Sequence, residues 1–232
     1  MNMKNIFIAC DTSSVSKIKS IIKKTQFKIK GYKIGYKFGL EFFYSKDGRK
    51  FIEKSKMKNL WLDVKIFDIP NTSSAAIKSL KDLRNISYIT VHISGGLEAL
   101  RKIKKTAKKY NKNLKILGVT VLTSFSNLSI KKVGHTKSIR EIVKKQAVLA
   151  KASKLDGVVC SVKEIKFIKK ICQKMEIITP GIRFKNQNFN DQKRVMSPKE
   201  AFENGATSIV MGRSIIKGNI RKNIQNLVKS LN

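Results

Sequence analysis

The feature that most constrains this chain is a regular alternation of short apolar runs with amphipathic stretches. The runs at 6–11, 29–35, 60–67, 86–93, 114–123, 156–161, 176–182 and 207–212 read as strands. The stretches at 13–26, 47–57, 72–82, 95–110, 137–154, 163–173, 197–204 and 219–230 carry apolar residues at helical spacing. Strands that alternate with helices are joined by parallel crossovers, and eight such units close into a (β/α)8 TIM barrel. At 232 residues the chain is the right size for one barrel, so a single domain over 1–232 is expected. No apolar run approaches the ~20 residues of a membrane helix, and the opening MNMKNIFIACD lacks the features of a signal peptide. A cytoplasmic protein with no membrane partner is therefore expected. Cys10, Cys160 and Cys172 have no metal-ligand spacing and read as reduced core residues.

In such a barrel the working groups lie where strands end, at the C-terminal face. Several runs here end in polar residues: Asp11, Lys33, Thr123 and Arg183, and a set of three charges, Asp63, Lys65 and Asp68, within LDVKIFDIPNT. Residues two apart on a strand share a face, so Asp63 and Lys65 point together while Leu62, Val64 and Ile66 point the other way. Burying charge is costly unless it is paired or used. Charges that converge from separate strands exceed what one bracing ion pair requires, so the sequence argues for a site. His92 reads as a hydrogen-bonded core histidine, and His135 carries no functional reading.

The formal net charge of +35 suggests nucleic acid at first sight. Lysine, however, is spread through nearly every expected helix, as in KIKSIIKK, KIKKTAKK and KEIKFIKK, which describes solvated faces rather than one patch. Specific nucleic-acid binding is not expected, though loose attraction to polyanions at low salt is. Of 50 Lys and Arg only 8 are Arg, and two of these, Arg183 and Arg213, fall at strand ends. Between Arg183 and Met196 lies a long polar segment without helical or strand period, which reads as a functional lid or a disordered loop.

Taken in order, DVKIFDIPNT, TVHISGG, GVTVLTS, DGVVCS, ITPGIR, DQKRVMSPKEAFENGA and IVMGRSI resemble the orotidine 5′-phosphate decarboxylase family, from Asp11 to about Ile216. The resemblance implies decarboxylation of orotidine 5′-monophosphate to uridine 5′-monophosphate, with neither metal nor organic cofactor. It assigns Lys65 as proton donor and Asp63 as its charged neighbour. Lys33 and Asp68 become the outer members of the array, with Asp68 crossing the interface of a homodimer. It further implies nucleotide contacts from Asp11, Lys33, Asp63, Thr72, Thr123, Ser124 and Pro180, and from Gln192 in the lid. Arg183, Gly212 and Arg213 hold the phosphate, where barrels of this kind commonly place it.

The alternative is a magnesium-dependent sugar-phosphate decarboxylase of the same suprafamily. Those relatives carry an acidic metal ligand where this reading places Lys33, and a lysine repels the metal. A basic RNA-binding barrel would need clustered cations with exposed aromatics, and neither is found.

Overall fold

The computed structural model describes residues 3–184 and 196–231. Eight strands, β1 (Lys4–Ala9), β2 (Tyr32–Gly39), β3 (Leu60–Ile66), β4 (Ile86–His92), β5 (Lys115–Val119), β6 (Gly157–Val159), β7 (Glu176–Thr179) and β8 (Ser208–Met211), pair in parallel in chain order. β8 returns to β1, closing the barrel. The expected helices appear as α1 (Val15–Thr25), α3 (Gly48–Lys54), α4 (Pro70–Ser79), α5 (Gly96–Tyr110), α7 (Ile139–Ala152), α8 (Ile165–Ile171), α9 (Pro198–Glu203) and α11 (Ile220–Leu231). Three short helices were not expected: α2 (Leu40–Phe43), α6 (Asn127–Lys132) and α10 (Arg213–Ile216). All three follow directly on strands or their loops, where a single turn leaves too little periodicity to read. None of the helices among the described residues is long and apolar enough to cross a membrane.

Local chemistry explains where elements start. Ser138 and Ser197 each cap a helix, with Glu141 and Glu200 bonding back to the cap N–H in capping boxes. Pro70 and Pro198 take first-turn positions, where a missing N–H costs nothing.

The core has two parts. One lies between the barrel wall and the helices and is dominated by isoleucine, such as Ile6, Ile8, Ile18, Ile89, Ile103 and Ile177. The other fills the barrel, with Phe7, Trp61, Tyr88, Leu117, Ile178 and Val210. There Phe7 meets Trp61 and Tyr88 edge to face, with ring centroids 5.1 and 5.3 Å apart. Truncating such a buried ring costs roughly 3–5 kcal/mol. This plug supports the mouth above it.

Phe7 also accounts for one difference from the sequence reading. The run at 29–35 was expected to end at Gly35, but β2 continues to Gly39. A Cβ on Gly35 would lie 2.6 Å from the Phe7 ring, so this glycine marks a close approach inside the strand and not its end. The rim of β2 is therefore four residues further on.

Candidate active site

A cavity of about 520 Å³ opens at the C-terminal mouth of the barrel. It is reached by Asp11 just after β1, Lys37 on β2, and Asp63 and Lys65 on β3. Lys37 Nζ lies 3.2 Å from Asp11 Oδ1 and 3.2 Å from Asp63 Oδ2, and Lys65 Nζ lies 3.0 Å from Asp63 Oδ1. Four charges thus alternate in sign along one line. The Asp63 side chain is 10% exposed and that of Lys37 11%, while Lys65 keeps 34% and Asp11 59%. The two central charges are desolvated and the two outer ones face the cavity's solvent.

Their titration follows from this. Burial pushes the Asp63 carboxyl up, but the charges of Lys37 and Lys65, helped by hydrogen bonds from Lys65 and Thr90, outweigh it and hold the group below the usual aspartate value. Burial likewise pushes the Lys37 ammonium down, and Asp63 and Asp11 reverse this and hold it above the usual lysine value. Both central groups stay ionised at neutral pH.

The backbone at Lys65 is unusual. Its φ of 48° lies in the left-handed region, which costs a non-glycine residue roughly 1–2 kcal/mol. The pairing of β3 with β4 shifts register here, from Leu62 opposite Ile89 to Ile66 opposite Val91. Three residues of β3, Asp63 to Lys65, therefore lie against Thr90 alone, a bulge of the kind that re-aims side chains next to active sites. The Lys65 N–H donates to Thr90 Oγ1 at 2.9 Å, and Thr90 Oγ1 donates to Asp63 Oδ1 at 2.9 Å.

Lys33 is not in this array. It pairs with Asn5, whereas Lys37 pairs with Ala9, so Lys33 lies exposed toward the opposite mouth, about 13 Å away at the rise of a strand. Lys37 takes the place expected of it. The shared parity of the two lysines made either admissible; the signal that separates them is that alternation continues through Gly35 up to Gly39.

Thr123, Pro180, Arg183 and Gly212 line the cavity from the loops after β5, β7 and β8, and Arg213 lines it from the first position of α10. Ser124, beside Thr123, does not. Gly181, at φ 80°, turns the chain between Pro180 and the buried Arg183, whose Nη1 donates to the Ile182 carbonyl. A Cβ on Gly212 would fall 3.5 Å from Ala9 Cβ and 3.9 Å from Asp11 Oδ2, so a bare backbone faces the site. Gln192 and most of the expected lid lie outside the described residues.

Asp68 and Thr72 line a second depression, about 450 Å³, on the outer side of Lys65. Asp68 accepts the Ile69 N–H at 2.7 Å. His92 is half-buried, accepts the Ser94 N–H at 3.3 Å and lies with its ring 5.5 Å from that of Phe67, tilted by 40°, so it is hydrogen-bonded as expected but sits at the rim and not in the core. The three cysteines are free and buried, and burial pushes the Cys10 thiol up to about 12.

Comparison with known proteins fits this geometry. The model of the orotidine 5′-phosphate decarboxylase / HUMPS family matches residues 4–223. The chain belongs to that family. An orotidine 5′-phosphate decarboxylase of Carboxydothermus hydrogenoformans is 40% identical over 230 residues, covering 94% of this chain and 92% of the relative. The crystal structure of the orotidine 5′-phosphate decarboxylase of Lactobacillus acidophilus superposes with a TM-score of 0.83 at 29% identity, covering 99% of both chains. That of the Methanocaldococcus jannaschii enzyme, complexed with the inhibitor BMP, has a TM-score of 0.75 at 22% identity and covers the whole of both chains. Those solved structures share the closed barrel, and in this chain the ionic line lies at its mouth.

Proposed function

We propose that this barrel decarboxylates orotidine 5′-monophosphate to uridine 5′-monophosphate in pyrimidine biosynthesis, with Lys65 protonating C6 and no cofactor. The observation that carries this reading is the line Asp11, Lys37, Asp63, Lys65, in which a partly exposed ammonium is held on a buried carboxylate facing the cavity. Breaking the bond from C6 to the carboxylate leaves an electron pair in the ring plane, which the ring cannot delocalise. An ammonium fixed beside C6 stabilises that pair and then transfers a proton to it; the resulting amine is reprotonated from water. Asp63, held ionised, opposes the substrate carboxylate and loses that repulsion as carbon dioxide departs. The apolar floor of Ala9, Trp61, Val119, Val159 and Val210 suits the pyrimidine edge and the departing neutral gas.

Lys37 between Asp11 and Asp63 is placed to orient the ribose hydroxyls, with Asp11 as their acceptor and Thr123 nearer the base. The phosphate is assigned to Arg183, Gly212 and Arg213, where a guanidinium grips it and bare backbone approaches it. Lys37 also weighs against the magnesium-dependent alternative, because its ammonium occupies the space between the two carboxylates that a metal would need.

Asp68 and Thr72 complete the site from a second copy of the chain. They lie outside their own cavity, on a face where Tyr44, Phe67 and Ile69 are 76%, 64% and 65% exposed. Three large apolar side chains there mark a surface for a partner.

An absorbance assay following conversion of orotidine 5′-monophosphate by the purified, chelated protein tests the reading. Turnover in excess EDTA is expected. Activity that vanishes with EDTA and returns with magnesium would replace this assignment with the metal-dependent one.

A further inference from the structure

The bulge in β3 solves one problem and creates another. It brings Asp63 and Lys65 to the cavity together, but it pushes the Lys65 N–H off the β4 ladder and into a left-handed conformation. A backbone donor without a ladder partner in a packed wall needs another acceptor. That acceptor is Thr90, which is fully buried and does not line the cavity.

We propose that Thr90 is a positioning residue for the decarboxylation, its hydroxyl locking the Lys65 backbone and the Asp63 carboxylate into the one arrangement that presents the ammonium to the substrate. The polarity is fixed by the partners. The Lys65 N–H can only donate, so Oγ1 accepts it at 2.9 Å, and the hydroxyl proton is directed to Asp63 Oδ1 at 2.9 Å. The same Asp63 oxygen receives Lys65 Nζ at 3.0 Å. Backbone, hydroxyl, carboxylate and ammonium are thereby linked by three hydrogen bonds, and rotating the hydroxyl or the carboxylate breaks two of them. Asp63 Oδ2 is taken by Lys37, so the carboxylate is held from β2, β3 and β4 at once.

The proposal rests on Lys65 and Asp63 being the reacting pair, so Lys65→Ala is run beside it. If Lys65→Ala keeps its activity, that underlying reading fails whatever Thr90 does. Thr90→Val keeps the volume and removes the hydroxyl; Thr90→Ser keeps the hydroxyl and loses a methyl group. Trp61 is the chain's one tryptophan and lines the cavity, so its fluorescence reports binding of uridine 5′-monophosphate independently of turnover. Expected for Thr90→Val is a fall in kcat on the order of 10²-fold, with KM and product affinity within about threefold, because misplacement affects the transition state and not ground-state binding. Thr90→Ser should stay within about threefold of the parent in kcat. Thr90→Ala, which loses the hydroxyl without adding a methyl beside Asp63, should show the same split as Thr90→Val and decides the matter if the valine variant does not fold. An unchanged kcat without the hydroxyl overturns the proposal. So does a serine variant as impaired as the valine one, or a parallel loss of product binding and turnover, since either would mean that Thr90 serves packing alone.

Discussion

Strands β1 to β4 contain six, eight, seven and seven residues, whereas β5 to β8 contain five, three, four and four. The long-strand half carries Lys37, Asp63 and Lys65 on the strands themselves, with Asp11 two residues past β1. The short-strand half lines the cavity from loops, with Thr123, Pro180, Gly181, Arg183 and Gly212. The difference follows from what each half is assigned to hold. An ammonium that must meet one carbon needs sub-ångström placement, which a hydrogen-bonded ladder gives and a loop does not. A phosphate presents several equivalent oxygens and tolerates a softer cradle of arginine and backbone amides.

The sharpest way to break this contrast is Lys65→Ala. Removing the donor from the rigid half should lower kcat by at least about 10³-fold, combining lost proton transfer with lost charge stabilisation, while Trp61 fluorescence still reports product binding. A variant that retains turnover would mean that the ionic line braces the barrel and does no chemistry. A mixed-dimer experiment extends the same test to the proposed sharing of the site between two chains. Lys65→Ala and Asp68→Ala should each be nearly inactive alone. After unfolding, mixing and refolding, half of the dimers are mixed and each has one intact site, so activity should recover to about a quarter of the parent. Tagging each variant confirms exchange, and mixed dimers without recovery would show that both residues act within one chain.

In the softer half the effect should be smaller and of another kind. Arg213→Ala should lower kcat/KM by roughly 10²-fold, about 3 kcal/mol of transition-state binding, and its loss should be much less on the nucleoside than on the nucleotide. An equal loss on both substrates would move the phosphate away from the β8 loop.

The two halves also differed in how far they could be read from the sequence. Strand ends such as Thr123, Arg183 and Arg213 are flagged by a polar residue closing an apolar run, and the eightfold alternation fixes the barrel. Thr90 left no such signal, because a β-branched residue in a strand is what any strand contains; only the bulge beside it, formed by tertiary pairing, gives its hydroxyl two partners. The left-handed φ of Lys65 is equally silent, since lysine has no preference that announces it. At β2 the sequence pattern itself is sufficient, but Gly35 reads as punctuation whereas it is a contact for Phe7.

That last point yields the smallest expected effect and the cleanest control. Lys33 and Lys37 share one strand, one side-chain parity and one charge, and differ in which mouth of the barrel they face. Lys33 is exposed, so Lys33→Ala removes a solvated cation and should change kcat and KM by less than about twofold, with stability shifted by no more than about 0.5 kcal/mol. Lys37→Ala deletes the only cation bridging Asp11 and Asp63 among the described residues and leaves the buried carboxylate with Lys65 and the Thr90 hydroxyl. Breaking a buried pair in this way costs roughly 3–5 kcal/mol. Thermal unfolding and steady-state kinetics on the two variants separate them. Equal damage from both would mean that β2 ends where Gly35 suggested and that the long-strand half holds its charges in a different register.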